Sequence, residues 1–129
     1  MKKKYIYFKT RDEFFRVEAS KMVFFEADGN YTNFTLCNGQ RGSVSLNLAA
    51  MQEALSISLK EEAAVFARIG RKYIVNLAYV YHIAILKQTL VLSDGATFSF
   101  RLTVSKEALK VVRDLFVKHK KVIAGSGGE

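Results

Sequence analysis

The 129-residue chain has no proline, a single cysteine and only two histidines. Without proline, glycine and short polar pairs must make the turns. One cysteine, Cys37, excludes an internal disulfide framework and fits a reducing compartment, so the sequence reads as cytoplasmic. No apolar run approaches the ~20 residues needed to cross a bilayer. The start, Met1 to Phe14, is basic but lacks an apolar stretch and a small-residue cleavage site, which excludes a secretory leader. His82 and His119 have no partners at metal-ligand spacing, and there is no nucleophile elbow, Walker loop or dinucleotide fingerprint. Cys37 lies in a strand-like run beside a turn and reads as a small packed hydrophobe rather than a nucleophile. The sequence points away from an enzyme and calls for no cofactor or metal.

What is present is positive charge and apolar bulk. Twenty Lys and Arg stand against twelve Asp and Glu, a net charge of +8, with most of the excess in residues 1–21 and 103–129. Such an excess attracts polyanions and suits nucleic acid or an anionic membrane surface without choosing between them. Half of the residues are hydrophobic, enough for a true core at a length where folding buries roughly two-thirds of the chain's surface. There is no internal linker or repeat. Residues 1–11 read as a basic N-terminal segment with a first strand, 12–121 as the folded domain, and 122–129 as a flexible tail, clearest in Gly125 to Glu129.

The patterning is mainly that of strands. Lys4–Lys9, Phe14–Ala19, Lys21–Ala27, Tyr31–Leu36, Val65–Ile69, Tyr73–Leu77, Tyr79–Leu86, Thr89–Leu92 and Thr97–Val104 are rich in aromatic and β-branched residues. Asn38-Gly39 and Asp94-Gly95 supply turns. In the last run Phe98, Phe100, Leu102 and Val104 share one face, which predicts one buried side and one polar side. Leu48, Met51 and Leu55 predict a short central helix through about Leu59, with Asn47 as N-cap. Ala108, Leu109, Val112, Leu115 and Phe116 predict a C-terminal helix from about Ser105 to Lys118. The expected fold is mainly β: an antiparallel domain of about eight strands with two peripheral helices.

Three polar clusters fall at strand ends, where loops present side chains on a rigid scaffold. In Glu26 to Thr32, an Asn30 amide can pair with an adenine edge and Tyr31 can pack on sugar or donate to phosphate. The same residues also suit a plain Asp-Gly turn with Tyr31 packed on the sheet. In Arg68 to Tyr73, Gly70 permits a bend presenting Arg71, which can fork onto guanine, and Lys72, a point charge; a solvated basic hairpin tip reads equally well. Asn76, between Val75 and Leu77, reads as a structural amide. In the third cluster, Ser105 opens a helix whose free N–H groups can receive a phosphate, with Lys106 and Arg101 nearby, or is an ordinary cap beside an exposed lysine.

Taken in order, the clusters resemble one family. Val23-Phe24-Phe25-Glu26-Ala27-Asp28-Gly29-Asn30-Tyr31-Thr32 is similar to its apolar strand followed by Glu-Ala-x-Gly-Asn-Tyr. Leu48 and its helix match the next segment. Phe66 to Asn76 resembles F-x-R-I-H-R-S-Y-I-V-N, and Leu102 to Lys106 resembles the terminal l-p-v-S-R. The family is the LytTR DNA-binding domain of bacterial response regulators, and the likeness runs from about residue 12 to residue 118.

The resemblance implies an elongated antiparallel β fold that reads successive major grooves of double-stranded DNA through loops. It implies promoter direct repeats as targets, with DNA bending and dimer formation on the DNA. It carries over Asn30 and Tyr31, Arg71 and Lys72, and Lys106 as contacts, with Arg101 in reserve. Gly70 stands where the family usually has His, Lys72 where it has Ser, and Lys106 where it has Arg. Lysine lacks the guanidinium fork, so the preferred DNA sequence does not carry over. About ten residues precede the first matched strands, too few for a receiver domain. The chain is therefore expected either to act alone, under a separate regulatory or signalling protein, or to belong to a longer regulator; the start Met1-Lys2-Lys3-Lys4 leans toward the first. The competing functional reading is a protein-interaction or inhibitory module that keeps the fold without specific DNA readout. Single-stranded RNA binding would need exposed aromatics, and Tyr5, Tyr7, Phe14 and Phe15 read more naturally as core.

Overall fold

The computed structural model describes residues 3–125. Among them, β1 (Tyr5–Lys9) and β2 (Phe14–Glu18) form an antiparallel ribbon, followed by β3 (Met22–Asp28), β4 (Tyr31–Leu36) and β5 (Arg41–Val44). Helix α1 (Leu48–Leu59) leads to β6 (Phe66–Ile69) and β7 (Tyr73–Asn76). Then come β8 (Val80–Ala84), β9 (Thr89–Ser93), β10 (Ser99–Thr103) and α2 (Lys106–His119). The central sheet has the order β5-β4-β3-β7-β6, and β10-β9-β8 form a third, smaller sheet. Every pairing is antiparallel. The mainly β architecture with a central and a C-terminal helix is as the sequence leads one to expect.

The central sheet is covered on both faces, and β3 shows why its sequence is almost continuously apolar. Met22 and Phe25 enter one core, with Ile6, Phe8 and Val17 of the ribbon and Leu48, Met51 and Leu55 of α1. Val23 and Phe24 enter a second core, with Leu90, Leu92 and Leu102 of the small sheet and Leu109 and Val112 of α2. A bulge between Met22 and Phe24 lets two successive residues face the second core. Each fully buried side chain of this size contributes about 1.5–3 kcal/mol. The caps read from sequence are present. Asn47 Oδ1 accepts from Ala50 N at 2.8 Å, and Ser105 Oγ accepts from Ala108 N at 3.2 Å.

The structure corrects three expectations. Among the described residues there are ten strands rather than about eight; β5, Arg-Gly-Ser-Val, has little strand propensity, and packing makes it a strand. Gly42 lies directly beneath the Phe34 ring: a Cβ there would sit 2.7 Å from Cε2 and 2.9 Å from Cε1 of that ring. Phe34 cannot withdraw, because it is buried between Phe8, at 5.3 Å, and Phe15, at 5.4 Å. Tyr7 and Phe14 are surface residues, stacked on each other at 6.1 Å, because the two-residue period turns them outward while Ile6, Phe8 and Val17 point in. Tyr5 and Phe15 are half-buried. Strand β8 ends at Ala84, two residues before Leu86, where Gln88 N donates to Ile85 O at 3.0 Å and closes a turn.

Asn76 is the structural amide its neighbours suggest. Its Nδ2 donates to Met22 O at 2.9 Å and its Oδ1 accepts from Ala78 N at 2.9 Å, with the side chain buried. Part of the expected tail, residues 126–129, lies outside the described residues, as do Met1 and Lys2 of the basic N-terminal segment.

Gly42→Ala is expected to lower unfolding free energy by about 1–3 kcal/mol, because the added methyl displaces a buried ring. Asn76→Ala should cost about 1–3 kcal/mol by leaving a buried carbonyl and an N–H unpaired. Urea denaturation, with a lowered midpoint at unchanged slope, checks both.

Candidate nucleic-acid interface

The first cluster is the β3–β4 hairpin. Asp28 pairs with Tyr31, so Gly29 and Asn30 are the whole loop. Gly29 has φ 61° whereas Asn30 does not have a positive φ, the pattern of a II′ turn, which takes glycine at its first central position. Asn33 Nδ2 donates to Asp28 Oδ2 at 3.2 Å and braces the hairpin. Asn30 is left exposed at the tip. Tyr31, beside it, is 52% exposed, so about half of the residue remains accessible at the end of the hairpin.

The second cluster is the three-residue β6–β7 loop, Gly70-Arg71-Lys72, closed by the Ile69–Tyr73 pair. Arg68 Nη2 reaches Arg71 O at 3.4 Å across the loop. Lys72 is committed: its Nζ lies 3.2 Å from Glu26 Oε2 and 5.7 Å from the centre of the Tyr73 ring. The hydrogen bond that Lys72 donates to Glu26, then the nearby Tyr73 and the Glu26 charge, raise the Lys72 pKa above its ordinary value. Burial raises that of Tyr73, with Glu26 adding to it.

The third cluster is the start of α2. Ser105 takes the N–H of Ala108, so the cap itself uses one of the free donors and Lys106 occupies the first helical position, exposed. Arg101 lies on β10 opposite Val91, on the outward face alternate to Phe100 and Leu102.

A backbone ladder and one close approach bring the first two clusters and the start of α2 to one end of the central sheet. β3 and β7 pair as far as Glu26–Tyr73, and Ala27 N donates to Lys72 O at 2.8 Å, which extends the ladder into the second loop. The Asn30 hairpin and the Arg71 loop are therefore neighbours on adjoining strands. On the other side, a Cβ built on Gly70 would lie 4.0 Å from Ala108 Cβ, in the first turn of α2. The order along this edge is the Asn30–Tyr31 turn, the Arg71–Lys72 loop, then the Lys106 helix start. Arg101 is on β10, in the third sheet rather than in the central one. Among the described residues, the side chains of Asn30, Tyr31, Arg71, Lys106 and Arg101 make no internal hydrogen bond or ion pair, whereas Lys72 does.

Sequence reasoning gave Glu26 and Asn33 no role. Both pair across the ladder, Glu26 with Asn33 and with Tyr73, so the three share one face at the end of the second core, to which Tyr73 belongs. The signal was available in the two-residue spacing of Phe24 and Glu26, and of Tyr31 and Asn33. Among the described residues, no group of His, Cys, Asp and Glu side chains could hold a metal ion, and no helix is long and apolar enough to cross a membrane.

Comparison with solved structures finds a likeness to the LytTr DNA-binding domain of a protein from Bacillus cereus described as a methyl-accepting/DNA response regulator. It is 24% identical, covers 89% of this chain and 98% of that one, and superposes with a TM-score of 0.63. That likeness shows the fold. Comparison with curated proteins finds no match. The family model for the LytTr DNA-binding domain matches residues 12–117, nearly all of the ordered body that carries the three clusters. The chain belongs to the LytTR DNA-binding domain family.

Proposed function

We propose that this domain is a sequence-specific, double-stranded-DNA-binding transcriptional regulator that reads major grooves with loop side chains. The observation that carries the reading is the single edge on which the Gly29–Asn30 turn, the Gly70–Lys72 loop and the α2 start adjoin, with Arg71 held out at its centre. Arg71 is the base reader, since a guanidinium with no internal partner can fork onto guanine O6 and N7. Asn30 offers an amide to an adenine edge from the neighbouring turn. Tyr31 packs on sugar or donates to phosphate. Lys106 supplies charge beside the remaining N–H groups of α2, and Lys72 acts on phosphate as a point charge. Arg101, on β10, is a reserve phosphate contact.

The targets fit promoter direct repeats, with two copies of the domain on one site. A separate regulatory or signalling protein would control occupancy. A domain without readout, acting as an interaction module, would bind matched and scrambled duplexes alike.

Selection of bound duplexes from a random library, at stated salt, is expected to recover a defined motif; recovery of no motif favours the interaction module. With about five phosphate contacts, the log–log salt slope on the selected duplex should be near −4 to −5. Arg71→Ala should weaken that complex by about 1–3 kcal/mol and relax preference at one base position. Fluorescence anisotropy on the selected duplex and its single-base variants measures both, and wild-type behaviour of the variant would remove Arg71 from the interface.

A further inference from the structure

Within the edge just described, one cation differs from the rest. Lys72 is paired internally, 3.2 Å from Glu26 Oε2, while Arg71 beside it is not. Glu26 is poorly placed to leave. It sits two residues past buried Phe24 on the same face of β3, between Asn33 and Tyr73, and its side chain is only 26% exposed. The other carboxylate nearby, Asp28, is engaged by Asn33. Among the described residues, the carboxylates that act on Lys72, Glu26 and Asp28, both come from β3, with the Tyr73 ring beneath it.

We infer that Glu26 sets how strongly this edge binds DNA irrespective of base sequence, by occupying Lys72 until a phosphate displaces it. The inference rests on the DNA-binding reading above. In the free protein the pair is neutral. When Lys72 takes a phosphate, its ion pair is lost and the Glu26 carboxylate stands unpaired beside the backbone of the duplex. That opposing term is the same on any DNA, because phosphates carry no base identity. Base reading through Arg71 is untouched, since Arg71 has no carboxylate partner. Glu26 therefore subtracts from non-specific affinity and leaves base discrimination standing. A net charge of +8 gives such a subtraction a purpose: without it, a strongly basic domain is held by bulk DNA.

The experiment measures binding to a random-sequence duplex by anisotropy across a salt series. Glu26→Gln is expected to bind about 2- to 5-fold more tightly at low salt, with a slope steeper by up to about 0.9, because the wild-type complex retains one cation at the unpaired Glu26 carboxylate that the variant releases. Glu26→Ser, equally neutral, should do the same, and thermal melts establish that both variants are folded. Glu53→Gln, which makes the same change in net charge on exposed α1, should leave the slope as in the wild type. In a Lys72→Gln background, Glu26→Gln should no longer steepen the slope. An unchanged slope in Glu26→Gln, or a steepening that survives loss of Lys72, overturns the inference while duplex binding stands. If the wild-type domain shows no salt-dependent binding to any duplex, the DNA-binding reading fails, and this inference with it.

Discussion

Pairing of β3 with β4 on one side and β7 on the other is the constraint on which the rest of the molecule depends. It makes β3, like its neighbour β7 with Ile74 in one core and Val75 in the other, a strand that must satisfy two cores, through Met22 and Phe25 on one face and Val23 and Phe24 on the other. It also aligns the outer ends of two hairpins, so that the turn leaving β3 and the loop entering β7 emerge side by side. Packing and presentation are thus one problem with one solution. The apolar half of β3 anchors the sheet, and its polar end, from Glu26 to Asp28, marks where the sheet runs out of cover and chemistry begins.

Much of this was legible in the residues, for identifiable reasons. Strong local signals survived intact: Asn47 and Ser105 as caps, the alternation through Phe100, Leu102 and Val104, and Asn76 as a structural amide wedged in an apolar run. What failed to show was whatever depends on a distant partner. Arg41–Val44 becomes a strand because Phe34 needs a neighbour with no side chain, and nothing within those four residues says so. Tyr7 and Phe14 look like core by composition and lie outside because the ribbon buries only its other face. The candidate contacts were named from loop chemistry and family likeness. Their adjacency, and the engagement of Lys72 by Glu26, required the register of β3 against β7.

The far end of the same sheet is organised by different means. Asn76 ties the start of β3 to the residues that follow β7, through Met22 O and Ala78 N, and Tyr79 Oη donates to Ser20 O at 2.6 Å. Here polar side chains are spent on holding connections in place, and they are buried or half-buried. At the loop end Asn30, Tyr31, Arg71 and Lys106 are exposed, and their side chains make no internal hydrogen bond or ion pair among the described residues. One sheet therefore divides its hydrogen-bonding groups between a closed end and an open one. The division follows burial: an unpaired amide is costly where Asn76 sits and harmless where Asn30 sits.

The link between the first two loops is made by main-chain atoms, Ala27 N to Lys72 O, and not by the side chains that face outward. Adjoining strands keep a spacing of about 4.8 Å whatever residues they carry. The tips can therefore be exchanged for other chemistries while the distance between them is conserved by the ladder. A scaffold of this kind holds its ruler constant and lets its alphabet drift, so that descendants can carry different side chains at the tips with the same stride between them.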